Sequence, residues 1–134
     1  MKYETKQPIT NNQLLYLYNS VGWYAYTKEN QDLTNMVNNS LWWSACYQDN
    51  QLIGLIRCIG DGLTITYVQD LLVHPDYQRK QIGTTLLKLA LDTFKSVRQF
   101  VLITDDTQKT TSFYEHVGLK SFNTLNIKGF MRHE

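Results

Sequence analysis

Apolar residues recur along this chain in several rhythms, and each change of rhythm marks an element. After a short strand expected around Tyr3, Leu14, Leu15, Leu17 and Tyr18 form the i, i+3, i+4 stripe of a helix over residues 10–20, which Thr10 or Asn11 can cap and Gly22 ends. Leu33, Met36 and Val37 suggest a second helix over residues 30–39, although its asparagine-rich end is poor helix material. Residues 41–47 and 51–59 are rich in aromatic and branched side chains and are separated by Asp49-Asn50, which reads as a hairpin. A third strand over residues 63–73 follows the Gly60-Asp61-Gly62 turn, so residues 41–73 form an antiparallel meander. The period then lengthens, and Ile82, Leu86, Leu87, Leu89, Ala90 and Phe94 make an amphipathic helix of about four turns. Residues 100–104 read as a short strand, residues 107–116 as a helix stopped by Gly118, and residues 119–122 and 126–131 as two closing strands. The class is therefore α+β: a mixed central β-sheet of six to seven strands flanked by about four helices, with a parallel crossover near the end.

Composition narrows this picture. With 134 residues, 43% of them hydrophobic, the chain has the size of one domain, residues 1–134, and can bury a core without metals or disulfides. Its 13 basic and 12 acidic residues leave a net charge of +1, so no global field draws it to nucleic acid or an anionic membrane, and a small molecule is the expected partner. Cys46 and Cys58 lie in strand-like stretches without CxxC or nearby histidine spacing, which argues for reduced core thiols and against zinc or a disulfide framework. The first ten residues are polar and no run approaches the roughly 20 apolar residues of a membrane span, so a cytoplasmic protein is expected.

The chemistry concentrates where the third strand ends. It runs through His74-Pro75 into residues 77–84, and Gly83 falls where the long helix begins. Unpaired N–H groups at a helix N-terminus, with the positive end of its dipole, suit a pyrophosphate, and Arg79 and Lys80 add charge beside it. The same residues also fit an ordinary strand-to-helix turn carrying solvated basic side chains.

The run Leu71-Leu72-Val73-His74-Pro75-Asp76-Tyr77-Gln78 with Gly83 resembles the Gln/Arg-x-x-Gly-x-Gly/Ala cofactor motif of the Gcn5-related N-acetyltransferase (GNAT) superfamily. Phe113-Tyr114-Glu115-His116-Val117-Gly118-Leu119 is similar to that family's Phe-Tyr-x-x-x-Gly-Phe signature, and the order of elements matches over nearly the whole chain. Three positions depart from the pattern. Gln81 replaces the first motif glycine; with a negative φ its N–H still serves phosphate, whereas a positive φ weakens the site. Thr84 stands at the last motif position, and Thr107 where many relatives place an Asn that contacts the cofactor.

The resemblance implies an acetyl-CoA-dependent N-acetyltransferase in which a primary amine attacks the thioester directly in a ternary complex. By position, the pantetheine arm pairs with Leu71, Leu72 and Val73, and the pyrophosphate meets Arg79, Lys80, Gln81, Ile82, Gly83 and Thr84, with Gln78 a further cofactor-binding residue of the motif. Tyr114 matches the residue that protonates the leaving thiolate, and a tyrosine with a pKa of about 10 carries that proton at neutral pH. It reads equally as a packed aromatic bonded to backbone. Asp70 is the candidate base, or it pairs with Arg57 on the adjoining strand. His74 sits at a corner expected to be solvent-exposed, while His116 faces away from Tyr114 and His133 lies near the terminus.

Trp23, Tyr24 and Tyr26 lie in the region that borders the acceptor pocket in that family, where they either present a face to the acceptor or cap the core. Trp42 and Trp43 should point to opposite faces of one strand. No metal is implied, and a homodimer is compatible with the family. The rivals are a non-catalytic acyl-CoA-binding module and a protein-interaction domain on the same fold. A dinucleotide oxidoreductase is disfavoured because residues 78–83 hold one glycine where that fingerprint needs three.

Overall fold

The structure is a computed structural model that describes residues 1–28 and 32–133. Residues 1–103 and 104–134 form two compact units.

The first unit is built on a sheet of five strands in sequence order: β1 (Lys2–Thr5), β2 (Trp42–Gln48), β3 (Gln51–Gly60), β4 (Ile65–Val73) and β5 (Gln99–Leu102). Neighbours pair antiparallel except β5, which lies parallel to β4. Asp49 and Asn50 both take positive φ, 51° and 66°, as a two-residue hairpin turn needs if it is to follow the twist of β2 and β3. The carboxylate of Asp61 accepts from the N–H groups of Leu63, Thr64 and Ile65 at 2.9, 2.8 and 3.1 Å, and from the Thr64 hydroxyl at 2.7 Å. These donors hold its pKa well below the carboxylate range and keep residues 61–64 in the turn, which is why β4 starts two residues later than its sequence suggests.

Helices cover both faces of the sheet. On one face, Leu14, Leu17 and Tyr18 of α1 (Asn11–Ser20) and Val37 of α3 (Thr34–Asn38) join Leu33, Trp43, Ala45, Leu55 and Leu72 in a buried cluster. Thr10 caps α1 by accepting from the Gln13 N–H at 3.3 Å, and Gly22 ends it at φ 76°. On the other face α4 (Ile82–Thr93) turns Ile82, Leu86, Leu87 and Ala90 inward, and Trp42 meets Phe94 edge-on at 5.8 Å. Trp42 and Trp43 thus serve opposite faces, as strand alternation requires. A one-turn helix, α2 (Tyr24–Thr27), was not expected, since four residues show no period. The helix expected over residues 30–39 begins at Thr34, and Asn30 lies outside the described residues.

The second unit holds α5 (Gln108–His116), capped by Thr107 and closed by Gly118 at φ 97°. Here the structure corrects the sequence reading. No strand forms at 119–122 or 126–131 among the described residues, so the sheet has five strands rather than six to seven, and the helices number five rather than about four. Phe122–Leu125 is instead a 3-10 turn ended by Asn126 at φ 62°, and Ile127, Phe130 and Met131 are exposed, so no buried face supports strand order there. Among the described residues no helix is long and apolar enough to cross a membrane.

Gly54 on β3 sets how closely α4 approaches: a Cβ there would lie 2.8 Å from Ile82 Cγ2 and 3.3 Å from Leu86 Cδ1. Because Ile82 is β-branched and stiff, Gly54→Ala should cost about 1–3 kcal/mol in urea unfolding by prising up the start of α4. Among the described residues, Thr66 Oγ1 is buried on β4 without a hydrogen-bond partner. Thr66→Val, which keeps the shape and removes the orphan hydroxyl, should raise stability by about 1 kcal/mol in the same assay.

Candidate functional site

The site begins with a mismatch of lengths. β3 accompanies β4 to its end, Gly54 opposite Val73, whereas the β4–β5 pairing runs only from Ile65↔Gln99 to Val68↔Leu102. From residue 69 to 73, β4 therefore has no strand on its β5 side among the described residues, and Leu71, Leu72 and Val73 lie on that open edge. The opening coincides with a β-bulge. Arg57 faces Asp70 and Cys58 faces Val68, so Gln69 is the extra residue.

β4 leads directly into the turn that heads α4. The His74 N–H donates to the Ile53 carbonyl at 2.8 Å, Pro75–Tyr77 make one 3-10 turn, and α4 starts at Ile82. Arg79 and Gln81 both adopt left-handed backbone, φ 68° and 64°, on either side of Lys80. Such left-handed residues turn successive N–H groups toward one concave side, and they lead into the first turn of α4, whose amides have no intrahelical acceptor. Among the described residues Gln81 makes no side-chain cap, and the side chains of Gln78, Arg79, Lys80 and Gln81 are exposed. Gly83 and Thr84 sit in the helix itself. The negative φ considered for Gln81 is not found: this side chain occupies the conformation a glycine would take freely, at a cost of about 1–2 kcal/mol.

His74 is also corrected. Its side chain is only 12% exposed, stacked on Tyr16 with ring centroids 5.2 Å apart and edge-on to Tyr77 at 5.7 Å. Its Nδ1 accepts from the Asp76 N–H at 3.1 Å, so His74 braces the corner.

Asp70 lies on the face of β4 opposite α4, with its side chain 1% exposed. Its Oδ2 accepts from Arg57 Nε and from the Tyr18 hydroxyl, each at 2.8 Å, and its Oδ1 from the Tyr26 hydroxyl at 2.6 Å. Arg57 continues to the Ser40 hydroxyl at 3.2 Å and the Met36 carbonyl at 3.4 Å. Burial, then the neighbouring carboxylate, pushes the Tyr18 hydroxyl well above its usual pKa, and Tyr26 shifts the same way. Burial alone would lower the Arg57 guanidinium, but Asp70 holds it above its ordinary value. Of the two roles open to Asp70, the geometry supplies the pair with Arg57. A carboxylate with three donors and no open approach has nothing in its surroundings that suits a base.

The aromatic trio divides. Trp23 and Tyr26 pack around Tyr18, with ring centroids 6.0 and 5.0 Å from it, whereas Tyr24 is 59% exposed. Sequence reading missed Tyr18, whose place in the helical stripe marked it as core although its hydroxyl is polar, and Gln69, which only the bulge reveals. Cys46 and Cys58 are free and buried, and burial pushes the Cys58 thiol up to about 12.

In the second unit Tyr114 stands on α5, half-buried and edge-on to Phe113 at 4.9 Å. Burial raises its pKa above 10.0, and a hydrogen bond with Thr104 opposes part of the rise. The Thr107 hydroxyl caps α5 by accepting from the Thr110 N–H at 3.2 Å.

Comparison with known proteins places these features in a family context. The sequence model of the acetyltransferase (GNAT) family matches residues 9–119. A solved GNAT-family acetyltransferase from Streptococcus pneumoniae is 33% identical, with a TM-score of 0.88, covering 99% of this chain and 97% of that one. Glucosamine 6-phosphate N-acetyltransferase of Schizosaccharomyces pombe is 39% identical over 71 residues, 50% of this chain and 60% of that protein. The chain spans between 45% and 60% of the length of the curated relatives it matches. An aminoglycoside 6'-N-acetyltransferase solved with coenzyme A shares the fold at TM-score 0.68 and 20% identity, over 88% of this chain and 84% of its own.

Gln81→Gly should relieve the left-handed strain and raise stability by about 1 kcal/mol in urea unfolding. An unchanged or lower midpoint would mean that the glutamine side chain makes a compensating contact.

Proposed function

The chain belongs to the acetyltransferase (GNAT) family, and on that premise we propose that residues 1–134 act as one domain transferring an acetyl group from acetyl-CoA to a primary amine. The observation that carries this reading is the five-residue open edge of β4 running straight into the turn that heads α4. An extended pantetheine arm would add to that edge as a strand does, at Leu71, Leu72 and Val73, through backbone groups. The pyrophosphate would meet the amides of Gln81, Ile82, Gly83 and Thr84, with Gln78, Arg79 and Lys80 beside them. Thr107 would serve the donor in place of the family's Asn.

Transfer requires a neutral amine, a polarised thioester carbonyl and a protonated leaving thiolate. A backbone N–H near Leu72 or Val73 would polarise the carbonyl. Tyr114 would protonate the thiolate: its motif matches the family's proton donor, and its raised pKa keeps the proton available at neutral pH. Trp23, Tyr24 and Tyr26 would border the acceptor, whose deprotonation we do not assign to Asp70. The same reading includes a cytoplasmic setting, no nucleic-acid or membrane partner, and a homodimer as the assembled form.

Isothermal titration with acetyl-CoA and CoA tests the donor site, using Gly83→Pro, which removes a first-turn N–H, and Tyr114→Phe. Acetyl-CoA should bind wild type and Tyr114→Phe alike and fail to bind a still-helical Gly83→Pro. Absence of binding to wild type would favour an interaction module on this fold, with Gln81 as the mark of a lost donor. Turnover is read as thiol release with glucosamine 6-phosphate, an aminoglycoside, a polyamine and a peptide with a free N-terminal alanine. Donor binding without turnover of any of them would favour the non-catalytic acyl-CoA-binding module.

Tyr114→Phe should lower kcat about 10- to 100-fold at an unchanged acetyl-CoA Kd. The active form is the protonated tyrosine and its pKa is raised, so the loss of activity due to Tyr114 should come only as pH rises beyond about 10. A limb from this residue below pH 9, abolished in Tyr114→Phe, would contradict the shift.

A further inference from the structure

Resting on that functional reading, we propose that Gln69 is an acceptor-binding residue whose amide carbonyl receives a hydrogen bond from the incoming amine, and that Tyr26 and Asp70 are the positioning residues that aim it. The first support is place. Gln69 follows Val68, where the last β4–β5 pair lies, so it stands where the two strands part. It is also the bulge residue, released from the ladder, and its side chain is exposed. An arm that starts at the α4 turn and follows Val73, Leu72 and Leu71 backward along β4 would bring its thioester end to Gln69.

The second support is hydrogen-bond accounting. Arg57 is always a donor, and it faces Asp70 at 2.8 Å. Asp70 accepts from Arg57, Tyr18 and Tyr26, so the single hydroxyl proton of Tyr26 is committed to Oδ1 at 2.6 Å. The Tyr26 oxygen is left with acceptor capacity alone toward Gln69, whose Nε2 lies 3.2 Å away. The amide must therefore show its NH2 end to Tyr26 and turn its carbonyl away. Polarity is fixed at each step from the buried guanidinium to an exposed carbonyl oxygen at the parting of the strands.

A carbonyl oxygen in that position suits a neutral primary amine. One N–H donates to Gln69 while the nitrogen lone pair faces the thioester, and the bond strengthens as positive charge builds on nitrogen during attack. Gln69 takes no proton in this arrangement. It orients the amine and leaves the deprotonation step to another agent.

The test uses the whole chain, acetyl-CoA, and whichever of the four named acceptors wild type turns over best. Gln69→Leu should lower kcat/KM for the amine about 3- to 10-fold, with the acetyl-CoA KM within about twofold of wild type and an unchanged Tm. Tyr26→Phe should lower it less, and the double variant should match Gln69→Leu alone, because Tyr26 acts through Gln69. An unchanged kcat/KM in Gln69→Leu, while wild type is active, would overturn the proposal and leave the acetyltransferase reading standing. Losses that multiply in the double variant would overturn the positioning role. A wild type that binds acetyl-CoA and acetylates none of the acceptors would overturn the functional reading and this inference with it.

Discussion

A carboxylate buried in the middle of a sheet must be neutralised and fully bonded or the fold cannot hold it, and Asp70 is held by three donors from three elements. Arg57 reaches it from β3, Tyr18 from α1 and Tyr26 from α2. Because Arg57 also bonds the Met36 carbonyl within α3 and Ser40 just beyond it, this one charge ties three helices to two strands. Packing alone would let short helices slide over an apolar face, whereas directional bonds to one point fix them. The acceptor side of the proposed site is built from these same elements, so its precision depends on a residue that itself stays out of contact with solvent.

The donor side rests on a different constraint, backbone shape. Gly54 lets Ile82 approach β3, which seats the first turn of α4 against the sheet. Arg79 and Gln81 then hold left-handed backbone without being glycine. Strain of this kind persists only where the surroundings over-determine the conformation. The ring contacts of His74 with Tyr16 and Tyr77 on one side and the seated Ile82 on the other supply that rigidity.

Much of the fold was legible in the sequence because its signals are local. The Asp49-Asn50 hairpin, the α4 stripe, the cap at Thr10 and the stop at Gly118 all depend on residues a few positions apart. The turn between β4 and α4 was legible for the same reason, and the family motifs that carry it are short. What escaped depends on partners distant in sequence. The choice between base and ion pair at Asp70 turned on Tyr18 and Tyr26, which are 52 and 44 residues away. The bulge at Gln69 is a matter of register between strands, invisible along one strand. The missing closing strands show the converse: residues 126–131 have strand-like composition, but composition without a buried face does not make a strand.

Cys58 lies opposite Val68, one residue from the place where β4 and β5 separate. A thiolate near the thioester that the proposed site would hold would compete with the amine, exchanging sulfur for sulfur and leaving the protein acylated on itself. With burial lifting this thiol to about 12, it stays protonated at neutral pH, and the thiol is a far weaker nucleophile than the thiolate. The closely packed interior of the sheet therefore does a second service, as chemical insulation between the chain's own sulfur and the activated acyl group it is read as handling.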